Sequence, residues 1–141
     1  MLERAAAGET VALTAPGVLE IAYGLARATH GSASGDAALA WFTRLATSDL
    51  IVTLPFEAAG AVVAGRLRAA QPTPPTGLRR AGTKPEQRAG WVLDLQIAAC
   101  AWSHGYAVAT ENRRDFDVIA HLIAALYPTV PRLEVIDVPA F

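Results

Sequence analysis

Two aspartates, Asp94 and Asp115, have the residue type and the positions that metal chemistry needs. Asp94 lies in a predicted helix over 91–104 and shares a face with Ile97, Ala98 and Ala101, which follow at helical spacing. A carboxylate on such an apolar stripe is costly unless it is paired, hydrogen-bonded or bound to a metal ion. Stabilisation by the helix dipole in the first turn is the structural alternative; position alone favours a functional role.

Asp115 belongs to a stretch, 110–117, that follows a predicted strand and is dense in oxygen ligands. Ligands of open α/β sheets bind beyond the carboxyl ends of the strands, where this stretch is expected. Each member also has a structural explanation. Asp115 suits an N-cap and Asp117 a partner of the helix dipole. Thr110 and Asn112 suit a turn, so the stretch alone leaves both interpretations open.

A third acidic residue, Glu20, lies about one turn into a predicted helix over 16–29. Taken alone it is best explained as a solvated side chain on the flank of that helix. Together, however, Glu20, Asp94 and Asp115 each follow a strand or open a helix at what should be one sheet edge. Mg²⁺ takes one or two carboxylates and keeps several waters, and it can activate water against a phosphodiester. The combination therefore predicts the metal site of a nuclease.

Strands and helices must alternate to place these residues at one edge. We predict strands over the ranges 10–14, 50–54, 106–109 and 133–136. The predicted helices cover 16–29, a segment capped by Ser34, 56–70, 91–104 and 115–126, with Gly105 after the fourth. Short buried strands separated by helices indicate an α/β fold with a parallel sheet covered on both faces. We count four strands, whereas a fold of this kind is expected to have five.

The composition changes between Gln71 and Gly90, where prolines and glycines are expected to forbid regular structure. We expect one domain over 1–141 that carries a flexible Pro/Gly/Arg-rich insertion at about 71–90. The basic residues of this segment are Arg79, Arg80, Lys84 and Arg88. A solvated insertion is favoured over an RNA-facing basic loop.

The overall composition limits the possible partners and the cellular location of the chain. The chain has 141 residues, 12 basic and 13 acidic, so a protein that cuts RNA would need a local basic surface. Its single cysteine, Cys100, excludes an internal disulfide and is expected to be buried. No signal core or apolar run of membrane-spanning length is visible, which predicts a soluble, cytoplasmic protein.

Two segments resemble the C-terminal signature of PIN-domain ribonucleases, specifically the VapC-like toxins of type II toxin–antitoxin modules. They are DLQIAACA over Asp94–Ala101 and TENRRDF over Thr110–Phe116. LEIAYG over Leu19–Gly24 is a weaker match to the family's Glu-containing helix. The resemblance runs from about Val11 to Val138, interrupted by the insertion.

The resemblance implies a PIN-like, Rossmann-like parallel sheet and RNA cleavage with Mg²⁺ or Mn²⁺. Glu20, Asp94 and Asp115 would be the metal carboxylates, with Asn112 beside them in the catalytic site and Thr110 a polar neighbour. It also implies a homodimer and a small antitoxin partner. Family members open with a central strand that carries a first Asp. No Asp precedes Glu20 here, so we expect that strand to be missing, Met1–Gly8 to match the following helix, and activity to be impaired.

Two other functions remain open at the level of sequence. The chain could be a catalytically degenerate PIN domain that only binds an antitoxin or itself. Alternatively, it could be an unrelated α/β domain whose acidic residues are helix caps. In that last case Asp94 and Asp115 would lie too far apart to share one hydrated Mg²⁺.

Overall fold

A computed structural model describes residues 11–28, 32–75 and 84–138. Within these ranges the chain forms, in order, β1 (Ala12–Thr14), α1 (Ala15–Ala28), α2 (Ala33–Ala46), β2 (Val52–Leu54), α3 (Ala58–Ala70), α4 (Pro85–Ser103), β3 (Val108–Thr110), α5 (Arg113–Leu126) and β4 (Val135–Asp137). The predicted α/β alternation is confirmed. Met1–Gly8, which the sequence matched to a helix, lies outside the described residues.

The chain divides into two compact units, Met1–Pro55 and Phe56–Phe141. Each unit contains one parallel strand pair, β1 with β2 in the first and β3 with β4 in the second. Among the described residues the four strands form two pairs, and both pairs are parallel, as the fold prediction requires. The pattern of apolar residues identifies strands but carries no information about which strands exchange hydrogen bonds. One domain over 1–141 stays a prediction.

The first unit begins with a strand that passes directly into a helix. Thr14 ends β1, and its Oγ1 accepts a hydrogen bond from the backbone N–H of Gly17 at 3.0 Å, which caps α1. Pro16 lies buried in the first turn, as predicted. Ser32, not Ser34, caps α2, since its extended backbone (φ −104°, ψ 139°) aims Oγ at the N–H of Gly35, 3.1 Å away.

Strand β2 is more exposed than its apolar sequence predicts. Leu54 is buried, but Val52 is 45% exposed, so the expected fully buried strand is wrong. An apolar run is buried on both sides only when other elements cover both faces of the strand. In the described residues Val52 and Thr53 are exposed, and only the end of β2 at Leu54 is covered.

The second unit holds a core built by α3, α4 and α5 against β3 and β4. Its largest fully buried side chains are Leu67, Trp91, Leu95, Ile119 and Ile123. The indole Nε1 of Trp91 donates to the carbonyl oxygen of Gln71 at 2.8 Å, so this core ring also satisfies a backbone acceptor. Cys100 is buried as a free thiol, as expected.

Helix α4 begins at Pro85, well before the predicted start at Trp91. The expectation that prolines and glycines forbid regular structure up to Gly90 is therefore wrong for 85–90. Proline at the first helical position loses no hydrogen bond, because that N–H has no partner inside a helix. The remaining insertion residues 76–83, with Arg79 and Arg80, lie outside the described residues, and their flexibility stays a prediction. None of the helices in the described ranges is long and apolar enough to cross a bilayer.

The turn after α4 reverses the chain through Gly105, as predicted. Gly105 has φ +76° and donates its N–H to the carbonyl oxygen of Trp102 at 3.0 Å, while Tyr106 donates to Ala101 at 2.9 Å. These two bonds form a Schellman motif, which requires the left-handed backbone that glycine adopts without strain. The turn sends the chain from α4 into β3.

Gly105→Ala should lower the free energy of unfolding by about 1 kcal/mol, because a Cβ is disfavoured at this positive φ. The matched control is Gly65→Ala on the exposed side of α3, where an added Cβ meets no atom within 4 Å. That change should stabilise by about 0.5–1 kcal/mol, since alanine favours the helix. Urea denaturation of both variants measures the difference, and equal effects of the same sign would contradict it.

Candidate functional site

The carboxyl ends of β3 and β4 lie side by side in the second unit. The parallel register pairs Val108 with Val135 and Thr110 with Asp137. Both strands therefore end at one edge, and the turn into α5 begins at that edge. This is the place where ligands of parallel sheets bind, and it is where the stretch 110–117 was predicted to lie.

Asn112 and Asp115 are brought together at this edge. The backbone N–H of Asn112 donates to Thr110 Oγ1 at 2.9 Å, which fixes the turn after β3. The Asn112 side chain makes no capping bond to the backbone of α5. Instead its Nδ2 donates to Asp115 Oδ2 at 3.0 Å. Asp115 lies in the first turn of α5, where the helix dipole stabilises a carboxylate.

The N-cap residue of α5 is Asn112, so the alternative that Asp115 is itself the N-cap is wrong. Asn112 instead uses its side chain to hold the Asp115 carboxylate in one orientation. Hydrogen bonds from neighbouring groups commonly orient the carboxylates that bind metal ions in proteins. The pair is therefore the best-defined polar feature of this edge.

Arg113 binds two further carboxylates beside this pair. Its Nε lies 3.4 Å from Asp117 Oδ1 and one terminal nitrogen lies 3.5 Å from Asp137 Oδ1. The side chains of Arg113, Asp117 and Asp137 are 45%, 46% and 81% exposed, respectively. The i, i+4 spacing of Arg113 and Asp117 is the sequence signal for an ion pair on a helix. Asp137 had no such signal, because only the strand register brings it to this edge.

Asp94 lies half-buried on α4, on a face with the buried Ala98 and Ala101, so the predicted apolar stripe is confirmed. It lies in the third turn of α4, which begins at Pro85, so the alternative of a first-turn partner of the helix dipole is wrong.

Glu20 is exposed on α1, in the first unit. Its exposure agrees with the solvated position that its helical flank predicted. Asp94, Asn112 and Asp115 all belong to the second unit. Of the four predicted site residues, the structure joins Asn112 and Asp115 by a direct contact.

Three of the predicted site residues, Asp94, Asn112 and Asp115, supply oxygen donors in the second unit. No group of three His, Cys, Asp or Glu side chains within the described ranges is arranged to hold a metal ion. Asp115, which accepts a hydrogen bond from Asn112, carries a hard oxygen donor, and Asp94 is a second carboxylate of the same unit. One or two carboxylates with several waters is the ligand set that Mg²⁺ usually takes.

A cleft of about 540 Å³ lies at the opposite end of the β3–β4 pair. Its lining includes Tyr106 and Ala107 before β3 and Arg132 and Glu134 before β4. It therefore opens at the amino ends of the strands. Asp115, Asp117 and Asp137 lie at the opposite, carboxyl end of the pair, which we call the acidic edge. The candidate site lies instead at the carboxyl ends, where Asn112 is exposed and Asp115 is half-buried.

The second unit thus defines an α/β fold with a parallel strand pair flanked by helices and polar residues at its carboxyl edge. No protein-family model matches the sequence, and no curated protein is significantly similar to it. Among solved structures, the chain is similar to a chain of the crystal structure of VapBC2 from Rickettsia felis bound to a DNA fragment from their promoter. The TM-score is 0.59 at 20% identity, over 98% of this chain and 82% of that chain. The likeness establishes the shared fold.

Proposed function

We propose that this chain is a Mg²⁺- or Mn²⁺-dependent endoribonuclease of the PIN-domain, VapC-like type, the toxin of a type II toxin–antitoxin module. The observation that carries the proposal is the Asn112–Asp115 pair at the carboxyl end of β3, on a fold shared with a toxin–antitoxin complex. The fold alone is compatible with many activities. The oriented carboxylate of Asp115 is the feature that favours metal-dependent cleavage among them.

Asp94 and Asp115, both in the second unit, would hold the cation, and the role of Glu20 stays a prediction from the sequence. A bound Mg²⁺ supplies Lewis acidity and makes hydroxide available from water near neutral pH. The protein's own contribution is orientation. Thr110 fixes the backbone of Asn112, and Asn112 in turn holds Asp115 through a single hydrogen bond.

Lys84 and Arg88 are exposed around the start of α4. Arginine and lysine on the surface supply the phosphate contacts that nucleic-acid binding needs. We propose that these residues, with Arg79 and Arg80 of the insertion, contact the RNA substrate. This assignment is independent of the metal ligands.

A second candidate, a PIN-like module that binds an antitoxin or a second copy of itself without catalysis, is favoured by exposed apolar side chains in the first unit. Leu19, Tyr23, Trp41 and Leu50 are 61%, 61%, 59% and 85% exposed. Large exposed apolar side chains are typical of protein-binding surfaces. Both candidates would bind an antitoxin, and only the first would bind and cleave RNA.

Cleavage of RNA by the purified chain tests the proposal directly. We expect structured RNA to be cut in the presence of Mg²⁺ or Mn²⁺ and to stay intact when a chelator is added, because the proposed carboxylates act only through the ion. The non-catalytic module predicts no cleavage under either condition but stable co-purification with the product of an adjacent small gene. Cleavage that persists in the chelator would rule out the metal mechanism.

A further inference from the structure

We propose that Arg114 is the side chain at the acidic edge that contacts a phosphate of the RNA substrate. The inference rests on the proposed function and adds a substrate-binding residue to it. Arg113 and Arg114 are neighbours at the start of α5, and both are exposed. They differ in whether the positive charge of the guanidinium group already has a partner.

An RNA backbone at this edge would meet an excess of negative charge. The exposed or half-buried carboxylates there are those of Glu111, Asp115, Asp117 and Asp137. Arg113 and Arg114 are the cationic residues of the stretch 110–117. Like charges repel, and contacts of phosphates with arginine or lysine supply most of the affinity for nucleic acid. Binding of RNA at this edge therefore needs a cation whose charge is not already compensated.

The charge of Arg113 is compensated by two carboxylates. Its Nε lies 3.4 Å from Asp117 Oδ1, and one terminal nitrogen lies 3.5 Å from Asp137 Oδ1. Exposed ion pairs of this kind contribute little to stability. They nevertheless place two negative charges beside the guanidinium group, and these reduce the attraction that a phosphate would feel. Arg113 is therefore the weaker phosphate ligand of the two arginines.

Arg114 keeps its charge and its donors free for a ligand. Within the described part of the chain its side chain takes part in no hydrogen bond, ion pair or ring contact. A guanidinium group presents five N–H donors, whose geometry matches a phosphate. Side chains of a helix lean towards its amino terminus, and Arg114 is the second residue of α5. It therefore leans towards the turn after β3, next to Asp115 in the chain.

Binding of a labelled single-stranded RNA in the presence of a chelator measures this contact without cleavage. The logarithm of the affinity falls linearly with the logarithm of the salt concentration, and each phosphate contact on a single strand contributes about 0.7 to the slope. Arg114→Gln should therefore reduce the slope by about 0.7 and weaken binding about fivefold at about 0.1 M salt. Arg114→Lys keeps the charge and should retain the wild-type slope.

Arg132→Gln is the matched control. Arg132 is also exposed and lies in the second unit, but it lines the cleft at the amino ends of the strands. Its replacement changes the net charge by the same amount and should alter the slope by less than about 0.2. A larger loss of slope for Arg114→Gln than for Arg132→Gln is therefore the expected result.

The result separates this inference from the proposed function. If the wild-type chain binds RNA but Arg114→Gln keeps the wild-type slope, or loses no more of it than Arg132→Gln, the inference is overturned and the proposed function stands. If the wild-type chain binds no RNA, both fail. Because Arg114 is exposed and makes no side-chain contact, Arg114→Gln should unfold at the same urea concentration as the wild type. A lower slope then reports a lost phosphate contact rather than a change in folding.

Discussion

Replacing Asp94 by Asn is expected to lower the rate of Mg²⁺-dependent RNA cleavage by about 100-fold or more. The change removes one negative charge from the proposed cation site and leaves the shape of the side chain almost unaltered. Stabilisation of transition-state charge by a catalytic metal contributes several kcal/mol, and each 1.4 kcal/mol corresponds to about tenfold in rate. Single-turnover cleavage of a labelled RNA at saturating Mg²⁺ gives the comparison.

Glu86→Gln provides the matched control on the same helix. Glu86 lies exposed in the first turn of α4, so the same carboxylate-to-amide change there should leave cleavage within about twofold. Far-UV circular dichroism should show both variants folded. Asp94→Asn cleaving at the wild-type rate would remove Asp94 from the site.

Replacing Trp91 by Ala should lower the free energy of unfolding by about 3–5 kcal/mol, the range found when a buried aromatic ring is deleted from a core. Trp91 is 1% exposed within the core of the second unit. The substitution also leaves the carbonyl oxygen of Gln71 without the donor it has at 2.8 Å. Urea denaturation followed by far-UV circular dichroism measures the loss.

Trp91→Phe is the milder change, because it keeps an aromatic ring in the core and loses the indole N–H and part of the ring volume. It should cost about 1–2 kcal/mol. Trp41, which is 59% exposed on α2, supplies the control, and Trp41→Phe should change stability by less than about 0.5 kcal/mol. A loss below 1 kcal/mol for Trp91→Ala would contradict the central place of this residue in the core.

Element types were predictable because their signals are local. Apolar spacing, Pro16 in a first turn and Gly105 after α4 each depend on a few neighbouring residues. Apart from α4 and the cap of α2, the predicted boundaries lie within about two residues of the structure. Strand pairing and the exposure of Val52 depend on elements far away in the chain. The prediction that residues 85–90 have no regular structure was wrong, because proline, which ends one helix, can also begin another.

The same difference between local signals and long-range contacts applies to the candidate site. The stretch 110–117 was predicted at the end of a strand, and the register of β3 with β4 confirms that position. The side-chain bond between Asn112 and Asp115 could not be predicted, because both residues are equally suited to capping and to turns. Asp137 lay beyond any motif. Its meeting with Arg113 follows from the strand pairing alone.

The pairing of β3 with β4 has a consequence for the order of folding. The strands are joined in parallel, so all of α5 lies between Val108 and its partner Val135. Such a contact forms late, because the intervening chain must be ordered before the two strands can meet. During synthesis, Thr110, Asn112 and Asp115 leave the ribosome before Asp137 does. The growing chain therefore has the Asn112–Asp115 pair available before Asp137 can reach Arg113, and the acidic edge acquires its final charge balance only once β4 has docked.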